Sequence, residues 1–567
     1  AKYGDKLPRV RGDWTPYWED GAGSSALETG LNRNSADRLS QVETLWAMVD
    51  PASYPPRAFE QAWRNVLLYS EHTWGAYCSV TEPAVPLTQD QWQIKQSFAA
   101  QANLQSRELL VRALARRQRP GDANVAATDL DVYNTSSWPR TDLVIVPRGV
   151  SERGDHVTDD QGRAIPSQRL TSGELAFLVN GLPPLAGRRF TLSAGAPEAA
   201  AGASVKDTTL DNGLVRLTVD PRTGGVSELH ARGVKGNLVD SSSGHLLNDY
   251  LYFKGDDLAG VQGSGPATVQ AGDKGPLVAS LVIDSDAPGC HHLRREVRVT
   301  AGLDRVEIIN TVDKKRLEAR SYNAKDGKES VNFAYPFHVP GGQALVDLPI
   351  GAMRPELDQM PSACKNWLTV GRWVDVSNHD HGVTWVTLDA PLVQLGGLTA
   401  RLLNSQTNPD TWRKTIEPTE QLYSWAMNNH WHTNYRAYQE GPIVFRFAVR
   451  PHRQACPAEA SRFAIGLSQP LLATLARGPK PSGTPLLRLS SNDAVVAALK
   501  PSDDGKAIIV HLYGASGKDS RVTLKWQNGE PRKTWLTDTS ERPLAELDGP
   551  VTVPGWGVAS VRAALGH

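Results

Sequence analysis

The chain of 567 residues is 40% hydrophobic and 22% charged, as expected of an ordinary globular protein. Its 61 basic residues balance 61 acidic ones, so the zero net charge argues against electrostatic binding of nucleic acid or of an anionic membrane. No apolar run is long enough to span a bilayer, and at roughly 100–200 residues per domain the length predicts three to five domains.

The first segment of interest is RGDWTPYWEDGAGSS, a turn-forming stretch that precedes the first predicted helix. It places Trp18 and Asp20 beside further aromatic and acidic residues. A sugar site needs a ring face for the C–H side of a pyranose and acceptors for its hydroxyl groups, and this combination offers both. The alternative is a packed loop that leads the chain into the helix.

Three helices follow, each indicated by apolar residues at three- and four-residue spacing. The first starts at Ser25 and Glu28, which are spaced as a capping box, and the third follows Thr88 and Gln91 with the same spacing. The second runs through PRAFEQAWRNVLL. Because the connections are short, the helices are predicted to pack as an antiparallel three-helix bundle.

The end of the second helix is unusual. The stretch YSEHTWGA brings a glutamate, a histidine and a tryptophan together just where Gly75 should stop the helix. Two interpretations of His72 stay open at this point: its side chain is either solvated at the negative end of the helix dipole or directed at a ligand.

From about residue 128 to the C-terminus, short β-rich runs are separated by Gly, Pro, Asn and Asp, which is typical of all-β sandwiches. The stretch LARGPKPSGTP, residues 475–485, has the composition of an interdomain linker. The β-rich runs after it predict one more small sandwich.

Cysteine and histidine patterns give little support to a metal site built from neighbouring residues. No two of the four cysteines form a C-x-x-C pair, although one or two long-range disulfides stay open. His291 and His292 are adjacent, so on a strand they point to opposite faces, and exposure is predicted. His379 and His381 lie between two strand patterns, which predicts a hairpin turn.

The stretch MNNHWHTNY, residues 427–435, carries more hydrogen-bonding and stacking capacity than a strand connection requires. The alternative is a polar loop that is tied down by its own amides. Elsewhere the sequence has no G-x-S-x-G, P-loop or dinucleotide-binding fingerprint, so hydrolase-elbow, phosphate and NAD functions have no support.

The order of these segments resembles the central and C-terminal regions of glycoside hydrolase family 38, the α-mannosidases. GDWTPYWEDGAGSS, a helix, NVLLYSEHTWGA, a further helix and VYNTSSWPRTDLVIVP follow one another as in that family. MNNHWHTNYRAYQEGPIVFRF resembles a run in its bacterial branch, and VVAALKPSDDGKAIIVHLYGASG resembles its last sandwich. The resemblance covers essentially the whole chain, although no single motif is highly specific.

The resemblance implies roles for particular residues. His72 matches the histidine that ligates the catalytic zinc, and Trp18 matches the tryptophan that stacks on the sugar beside the scissile bond. Thr73 stands where the family commonly has an aspartate that helps to hold substrate hydroxyls, which puts the substrate preference in question. The remaining candidates for substrate binding are polar residues of the two segments: Asp20, Asn429, His432 and Tyr435.

In the family, one zinc ion contacts two histidines and two aspartates, and the retaining mechanism uses an aspartate nucleophile and a second carboxylic acid. The resemblance places the nucleophile, the acid/base and the other three zinc ligands in an N-terminal barrel segment that this sequence lacks. No residue here is therefore assigned a catalytic role, and the chain alone is expected to be inert without that segment.

The predicted fold is a multidomain α+β architecture, mostly β, with a galactose-mutarotase-like large sandwich. Its parts in chain order are the end of an α/β barrel with an active-site loop (1–25), the three-helix bundle (26–120), a small β-sandwich (128–200), the large β-sandwich (201–474) and a C-terminal β-sandwich (486–567).

The predicted function is that of the C-terminal portion of a zinc-dependent retaining α-mannosidase-like hydrolase, which acts on α-mannosides or related glycosides. The alternative is a non-catalytic carbohydrate-binding or scaffold protein derived from such an enzyme. The expected partners are an α-mannoside substrate and the N-terminal catalytic region, with neither nucleic acid nor membrane. A homo-oligomer and the cellular compartment are left open, with a secreted or periplasmic location favoured over a cytoplasmic one.

Overall fold

The computed structural model describes residues 6–71, 77–116, 128–199, 202–255, 257–317, 328–400, 412–429, 434–527 and 529–564. They form a helical region near the N-terminus followed by several antiparallel β-sheets, so the predicted multidomain, mostly β fold class is confirmed. No helix in the described stretches combines the length and apolar character that crossing a membrane requires.

The helical region begins with a 3-10 turn and continues into α-helices whose apolar faces meet. The elements are the turn Tyr17–Ser25, α1 Ala26–Val49, α2 Pro56–Tyr69, α3 Pro86–Ala115 and, much later in the chain, α4 Pro457–Ser468. α1, α2 and α3 share one buried apolar cluster, which includes Leu39, Val42, Trp46, Phe59, Ala62, Ala102 and Leu109. Burial of these side chains at helical spacing explains why the helix pattern in the sequence is informative.

Both predicted capping boxes are wrong, because the two hydroxyl side chains bond elsewhere. Ser25 precedes α1, but its hydroxyl lies 2.8 Å from the Tyr69 hydroxyl and makes no cap to the first turn. α3 begins at Pro86, whose fixed φ and missing N–H suit the first turn of a helix. The Thr88 hydroxyl is therefore already inside the helix, and it donates to the backbone oxygen of Tyr77.

Residues 129–193 form a small sandwich of two antiparallel sheets. Its strands are β1 Asp129–Asn134, β2 Arg140–Val146, β3 His156–Asp159, β4 Ala164–Ile165, β5 Ser167–Arg169, β6 Leu175–Leu182 and β7 Ala186–Ser193. One sheet contains β1-β7-β3-β4 in this order, and the other contains β2-β6-β5. Side chains of both sheets share a buried core that includes Val132, Val144, Phe177 and Phe190.

The large sandwich follows, with three sheets. Its strands are β8 Ser204–Lys206, β9 Thr209–Asp211, β10 Val215–Val219, β11 Val226–Ala231, β12 Asp249–Lys254, β13 Gln262–Gly263, β14 Ala267–Lys274, β15 Val278–Ser285, β16 Cys290–Thr300, β17 Val306–Lys314, β18 Glu329–Pro336, β19 Gln343–Leu348, β20 Gly351–Met353, β21 Leu368–Thr369, β22 Trp373–Ser377, β23 Gly382–Thr387, β24 Leu392–Leu395, β25 Gln421–Asn429 and β26 Gly441–His452. The sheets have the orders β11-β10-β9-β8, β13-β12-β18-β25-β24-β21 and β14-β15-β16-β17-β26-β23-β22-β19-β20.

The core of the large sandwich lies between its two bigger sheets. Tyr335 belongs to the six-stranded sheet, and its ring lies 5.3 Å from Trp385 and 5.4 Å from Phe447 of the nine-stranded sheet. All three side chains are buried. Aromatic packing of this kind adds to the apolar area that the two sheets bury against each other.

The strand that follows α4 returns to the small sandwich. β27, Leu472–Leu475, pairs with β1 on the side opposite β7, so the predicted boundary at residue 474 falls within a strand of the small sandwich. The linker that follows is held against the same sheet. Arg189 of β7 donates to the backbone oxygen of Gly478 at 2.8 Å and pairs with Asp131 at the same distance.

The C-terminal sandwich packs on the helical region. Its strands are β28 Leu487–Leu489, β29 Val495–Pro501, β30 Ala507–Tyr513, β31 Ser520–Val522, β32 Leu524–Trp526, β33 Thr534–Thr537, β34 Pro543–Glu546, β35 Val551–Val553 and β36 Val558–Ala564. The main sheet has the order β29-β30-β36-β33-β34. Its buried cluster contains Val510, Leu512 and Val561 together with Ala47 of α1, which joins this sandwich to the first helix.

The histidine patterns behave as predicted, and the cysteines form no disulfide. His379 and His381 lie in the turn between β22 and β23, where the Asn378 side chain accepts hydrogen bonds from two backbone N–H groups at 2.8 and 2.9 Å. His291 and His292 are exposed on β16. All four cysteines are free thiols.

Candidate functional site

The aromatic residues singled out near the N-terminus occupy the turn Tyr17–Ser25, directly before α1. Trp18 is 52% exposed in this turn. Its neighbour Tyr17 is buried, and the Tyr17 ring stacks on Trp412 with 4.0 Å between ring centroids and meets the edge of Trp367 at 5.3 Å. The exposed indole of Trp18 thus lies on a turn whose backbone is held in place by the packing of Tyr17 against Trp412 and Trp367.

Hydrogen bonds to a distant loop fix the segment that leads into this turn. The backbone N–H of Asp13 donates to the oxygen of Asp358 at 2.7 Å, and the N–H of Cys364 donates to the oxygen of Thr15 at 2.7 Å. This segment and the loop lie more than 340 residues apart in sequence, so the contact belongs to the tertiary fold. The loop is therefore packed, as the alternative interpretation expects, and Trp18 is nevertheless exposed. A sugar site at Trp18 stays a prediction.

Two carboxyl groups follow Trp18 and differ in environment. Asp20 is fully buried, and its backbone oxygen accepts a hydrogen bond from the Asn428 amide at 2.9 Å. Burial raises the pKa of Glu19 to about 7; a hydrogen bond with Thr369 opposes the rise, and nearby carboxyl groups add to it. Glu19 is thus a group that exchanges a proton near neutral pH, one residue from the exposed indole.

Gln439 joins the start of α1 to the end of β25. Its side-chain nitrogen donates to the backbone oxygens of Gly23 at 3.0 Å and Asn428 at 3.1 Å, and to the Asn429 side-chain oxygen at 3.2 Å. Its side-chain oxygen accepts from the N–H of Ala26, the first residue of α1, at 2.7 Å. The buried side-chain amide of Gln439 therefore supplies hydrogen-bond partners for backbone groups at the start of α1 and the end of β25. Those groups have no partner within their own helix or strand.

Asn429 and Tyr435 are buried and engaged within the protein. The Tyr435 hydroxyl donates to the backbone oxygen of Trp18 at 3.0 Å, and the Tyr435 backbone oxygen accepts a hydrogen bond from the Ser79 hydroxyl. The Asn429 amide donates to the backbone oxygen of Arg436 at 3.0 Å. Only the Asn429 bond is local to this stretch of chain, and the bond from the Tyr435 hydroxyl supports the backbone that carries Trp18.

The end of α2 is closed by a cation from the next helix. α2 ends at Tyr69, and the Lys95 ammonium donates to the backbone oxygens of Leu68 at 3.0 Å and Glu71 at 3.1 Å. A positive charge at this position complements the carbonyl groups and the dipole at a helix C-terminus. His72 follows beyond the last helical residue and lies outside the described residues.

Four of the six predicted site residues meet where the turn, the start of α1 and the end of β25 adjoin: Trp18, Asp20, Asn429 and Tyr435. Among these four, the exposed side chain is that of Trp18. His72 and His432 lie outside the described residues, so their placement stays a prediction.

The zinc implied by the resemblance has no complete set of ligands within the described residues. In those stretches, no group of three or more His, Cys, Asp or Glu side chains is arranged to hold a metal ion. A structural or catalytic zinc takes three or four protein ligands, so the single imidazole of His72 does not suffice.

Comparisons with known proteins agree with this architecture. Residues 493–561 match the glycosyl hydrolases family 38 C-terminal beta sandwich domain. The crystal structure of an alpha-mannosidase from Enterococcus faecalis V583 aligns with a TM-score of 0.72 at 13% identity, over 97% of this chain and 69% of that one. The structure of a glycosyl hydrolase family 38 protein from Enterococcus faecalis gives a TM-score of 0.71 at 13% identity, over 99% and 72%. The comparison with curated proteins found no significant match.

Nearly the whole chain therefore shares its fold with these two structures. Residues 493–561 match the family model and one of the two structures is described as a family 38 protein, so the predicted resemblance to glycoside hydrolase family 38 is confirmed.

Sequence reasoning missed two residues of this region, Lys95 and Gln439, and it noted Glu19 only as one of the acidic residues beside Trp18. Glu19 stands beside Trp18 in the motif, and its acidic character was a usable signal. Lys95 and Gln439 act on helix ends that are distant in sequence, and a lysine in a helix or a glutamine in a loop gives no local indication of such a contact.

Proposed function

We propose that the chain is the helical and β-sandwich part of an α-mannosidase-like glycoside hydrolase that acts on α-mannosides or related glycosides. The exposed indole of Trp18 carries this proposal, because it is held on a buried turn between the helical region and the large sandwich. An aromatic ring in such a place suits the C–H face of a pyranose. The fold that the chain shares with an alpha-mannosidase supports the same class of activity.

In this proposal Trp18 contacts the sugar, and its buried neighbours act as positioning residues. Tyr435 holds the backbone of Trp18 through one hydrogen bond. Asp20 lies in the turn before α1, and Asn429 lies at the end of β25. Hydrogen bonds from the side chains of Asn428 and Gln439 join these two segments. His432 stays a candidate for direct contact with substrate on the strength of its motif.

The proposal includes one zinc ion and a retaining mechanism, both of which rest on the family resemblance. His72 is the ligand proposed from this chain. The nucleophile, the acid/base and the other zinc ligands are proposed to belong to an N-terminal catalytic region. The alignment with the alpha-mannosidase extends over 69% of that protein.

The test is hydrolysis of p-nitrophenyl α-D-mannopyranoside by the full-length protein. Replacing Trp18 with alanine is expected to lower kcat/KM about tenfold, since an aromatic contact of roughly 1.4 kcal/mol is lost. Trp14→Ala is the matched control, because Trp14 is 69% exposed in the same segment, and it is expected to change kcat/KM less than about twofold.

Two outcomes would contradict the proposal. Equal losses in the two variants would show that Trp18 has no special role. Binding of the mannoside by the full-length protein without any turnover would instead favour the alternative, a non-catalytic carbohydrate-binding protein.

A further inference from the structure

An arginine packs against two aromatic rings in the loop between β25 and β26. The Arg436 guanidinium lies 4.7 Å from the ring centroid of Trp92 on α3 and 4.9 Å from that of Tyr438. Trp92 is 8% exposed, whereas Arg436 and Tyr438 are half-buried. Contacts between a guanidinium and aromatic rings are favourable, so they restrict where this cation can lie.

A second arginine stacks on the same tyrosine, but its charge is balanced. Arg316, just beyond the end of β17, lies 3.6 Å from the Tyr438 ring centroid, and a nitrogen of its guanidinium lies 3.6 Å from a carboxylate oxygen of Glu440. Arg436, in contrast, forms no ion pair with any carboxylate in the stretches that the structure describes. One positive charge of this cluster is therefore left without a counter-charge.

The guanidinium of Arg436 is also open to a ligand. It donates no hydrogen bond to any described residue. Its nitrogens are not among the fully buried polar atoms that lack a partner, so they keep contact with solvent. A guanidinium presents five N–H donors in a planar fork, which matches two oxygens of a carboxylate, sulfate or phosphate. A positioned cation with accessible, unused donors is what recognition of such an oxyanion requires.

The contacts of Arg436 place it beside the proposed site. It follows Tyr435, whose hydroxyl donates to the backbone oxygen of Trp18 at 3.0 Å. On the other side, Trp92 precedes Lys95 by three residues on α3, so the two side chains lie on the same face of that helix. Lys95 closes the end of α2. Arg436 thus connects the segment that holds Trp18 to the helix that caps α2.

We infer that the Arg436 guanidinium pairs with an anionic group of the bound sugar, a carboxylate, sulfate or phosphate whose oxygens accept its hydrogen bonds. The inference rests on the proposed function, because it names the substrate class of that site as anionic glycosides. Trp18 contacts the C–H face of the sugar, and Arg436 contacts the charged substituent. A neutral sugar leaves the cation without a counter-charge, so the anionic sugar binds more tightly.

The experiment is isothermal titration calorimetry of the full-length protein with D-mannose, D-mannose 6-phosphate, D-mannuronate and inorganic phosphate. None of these is a glycoside, so binding is measured without turnover. We expect at least one of the two anionic sugars to bind about tenfold more tightly than D-mannose, since hydrogen bonds to charged groups are among the strong ones. The better of the two identifies whether the anionic group is a phosphate or a carboxylate.

Arg436→Gln keeps N–H donors but removes the charge, and it is expected to reduce the preference for the anionic sugar to less than about twofold. Arg188→Gln is the matched control. Arg188 of β7 is also half-buried, donates one long hydrogen bond of 3.4 Å to the backbone oxygen of Asn180, and forms no ion pair within the described residues. Its variant is expected to keep the full preference.

Equal affinities for D-mannose and both anionic sugars, or no saturable binding of either anionic sugar up to about 50 mM, would overturn the inference. A preference that Arg436→Gln leaves intact would overturn it as well. So would equal affinities for inorganic phosphate and D-mannose 6-phosphate, because the anion would then be bound without recognition of the sugar.

A variant that fails to fold does not leave the inference untested. If circular dichroism shows that Arg436→Gln is unfolded, Arg436→Met takes its place, with Arg188→Met as its control, because methionine fills the space beside the rings without a charge. Hydrolysis of the neutral p-nitrophenyl mannoside is measured separately. Failure of the proposed function appears as absent hydrolysis, whereas failure of this inference appears as absent discrimination between anionic and neutral sugars.

Discussion

At the scale of single residues, Trp18 and Gln439 show what a sequence does and does not reveal. Trp18 is recognisable because aromatic and acidic residues surround it within one short segment, and the structure exposes its ring as a sugar site requires. Gln439 has no such signal, since its partners Ala26 and Gly23 lie 413 and 416 residues away. A local pattern singles out Trp18 as a candidate for ligand contact, whereas the contacts of Gln439 are found only in the tertiary structure.

Replacing Gln439 with alanine is expected to lower the free energy of unfolding by about 2–4 kcal/mol, because the buried groups of Gly23, Ala26 and Asn429 then lose a partner. Urea denaturation followed by fluorescence measures the change. Gln421→Ala serves as the control, since the half-buried Gln421 donates one long hydrogen bond of 3.4 Å, and it is expected to cost less than about 1 kcal/mol. Similar losses in the two variants would show that Gln439 does not hold this junction.

At the scale of elements, the sequence predicts the helices well and their ends poorly. The apolar spacing of α1, α2 and α3 is a local property, and the structure buries those faces together. Each end, in contrast, depends on a contact with another element. Ser25 bonds Tyr69 instead of capping α1, and Lys95 of α3 closes α2. Tertiary partners therefore decide where a helix starts and ends, although local propensity decides that it forms.

Glu43 of α1 makes the contact between α1 and α2 sensitive to pH. Burial raises the pKa of Glu43 to about 7, although hydrogen bonds from Trp63 and Tyr54 and the charge of Lys500 oppose the rise. The folded state therefore keeps this proton up to about pH 7, whereas the unfolded state releases it near 4.5, the ordinary pKa of a glutamate side chain. The free energy of unfolding that Glu43 contributes thus falls as the pH rises from about 4.5 to about 7.

Glu43→Gln removes this dependence. Relative to the unmodified chain, the variant is expected to gain on the order of 2 kcal/mol of stability between pH 4.5 and pH 7, measured by urea denaturation at a series of pH values. Glu60→Gln, at an exposed position of α2, is the control and should leave the pH profile unchanged. A profile that stays the same in Glu43→Gln would contradict the assignment.

At the scale of the whole molecule, the sequence predicts a mostly β fold but not how its strands pair. Strand patterns repeat locally, so sandwiches were predictable. The neighbours are not, because β17 and β26 pair across more than 120 residues and β1 pairs with β27 across more than 330. The boundary predicted at residue 474 was placed by composition, and the structure puts that stretch in a strand of the small sandwich.

The zinc content of the chain tests the proposal that this chain supplies one zinc ligand and an N-terminal catalytic region supplies the others. The chain of residues 1–567 is expected to retain less than about 0.1 zinc per molecule after dialysis against a weak chelator, because one proposed ligand is too few for a tight site. Atomic absorption measures the metal. One zinc per chain that is lost in His379→Ala or His430→Ala would show a complete site within this sequence and would contradict the proposal.

The return of β27 to the small sandwich has a consequence for biosynthesis. β1 pairs with β7 on one side, but its other partner is made only after roughly 280 further residues have been added. At about 5–20 residues per second, a ribosome needs about 15–55 s for that stretch. Throughout this interval the outer edge of β1 presents unpaired N–H and C=O groups, which favour pairing with another chain. Shielding of this strand edge is therefore expected to limit such pairing until β27 has been made.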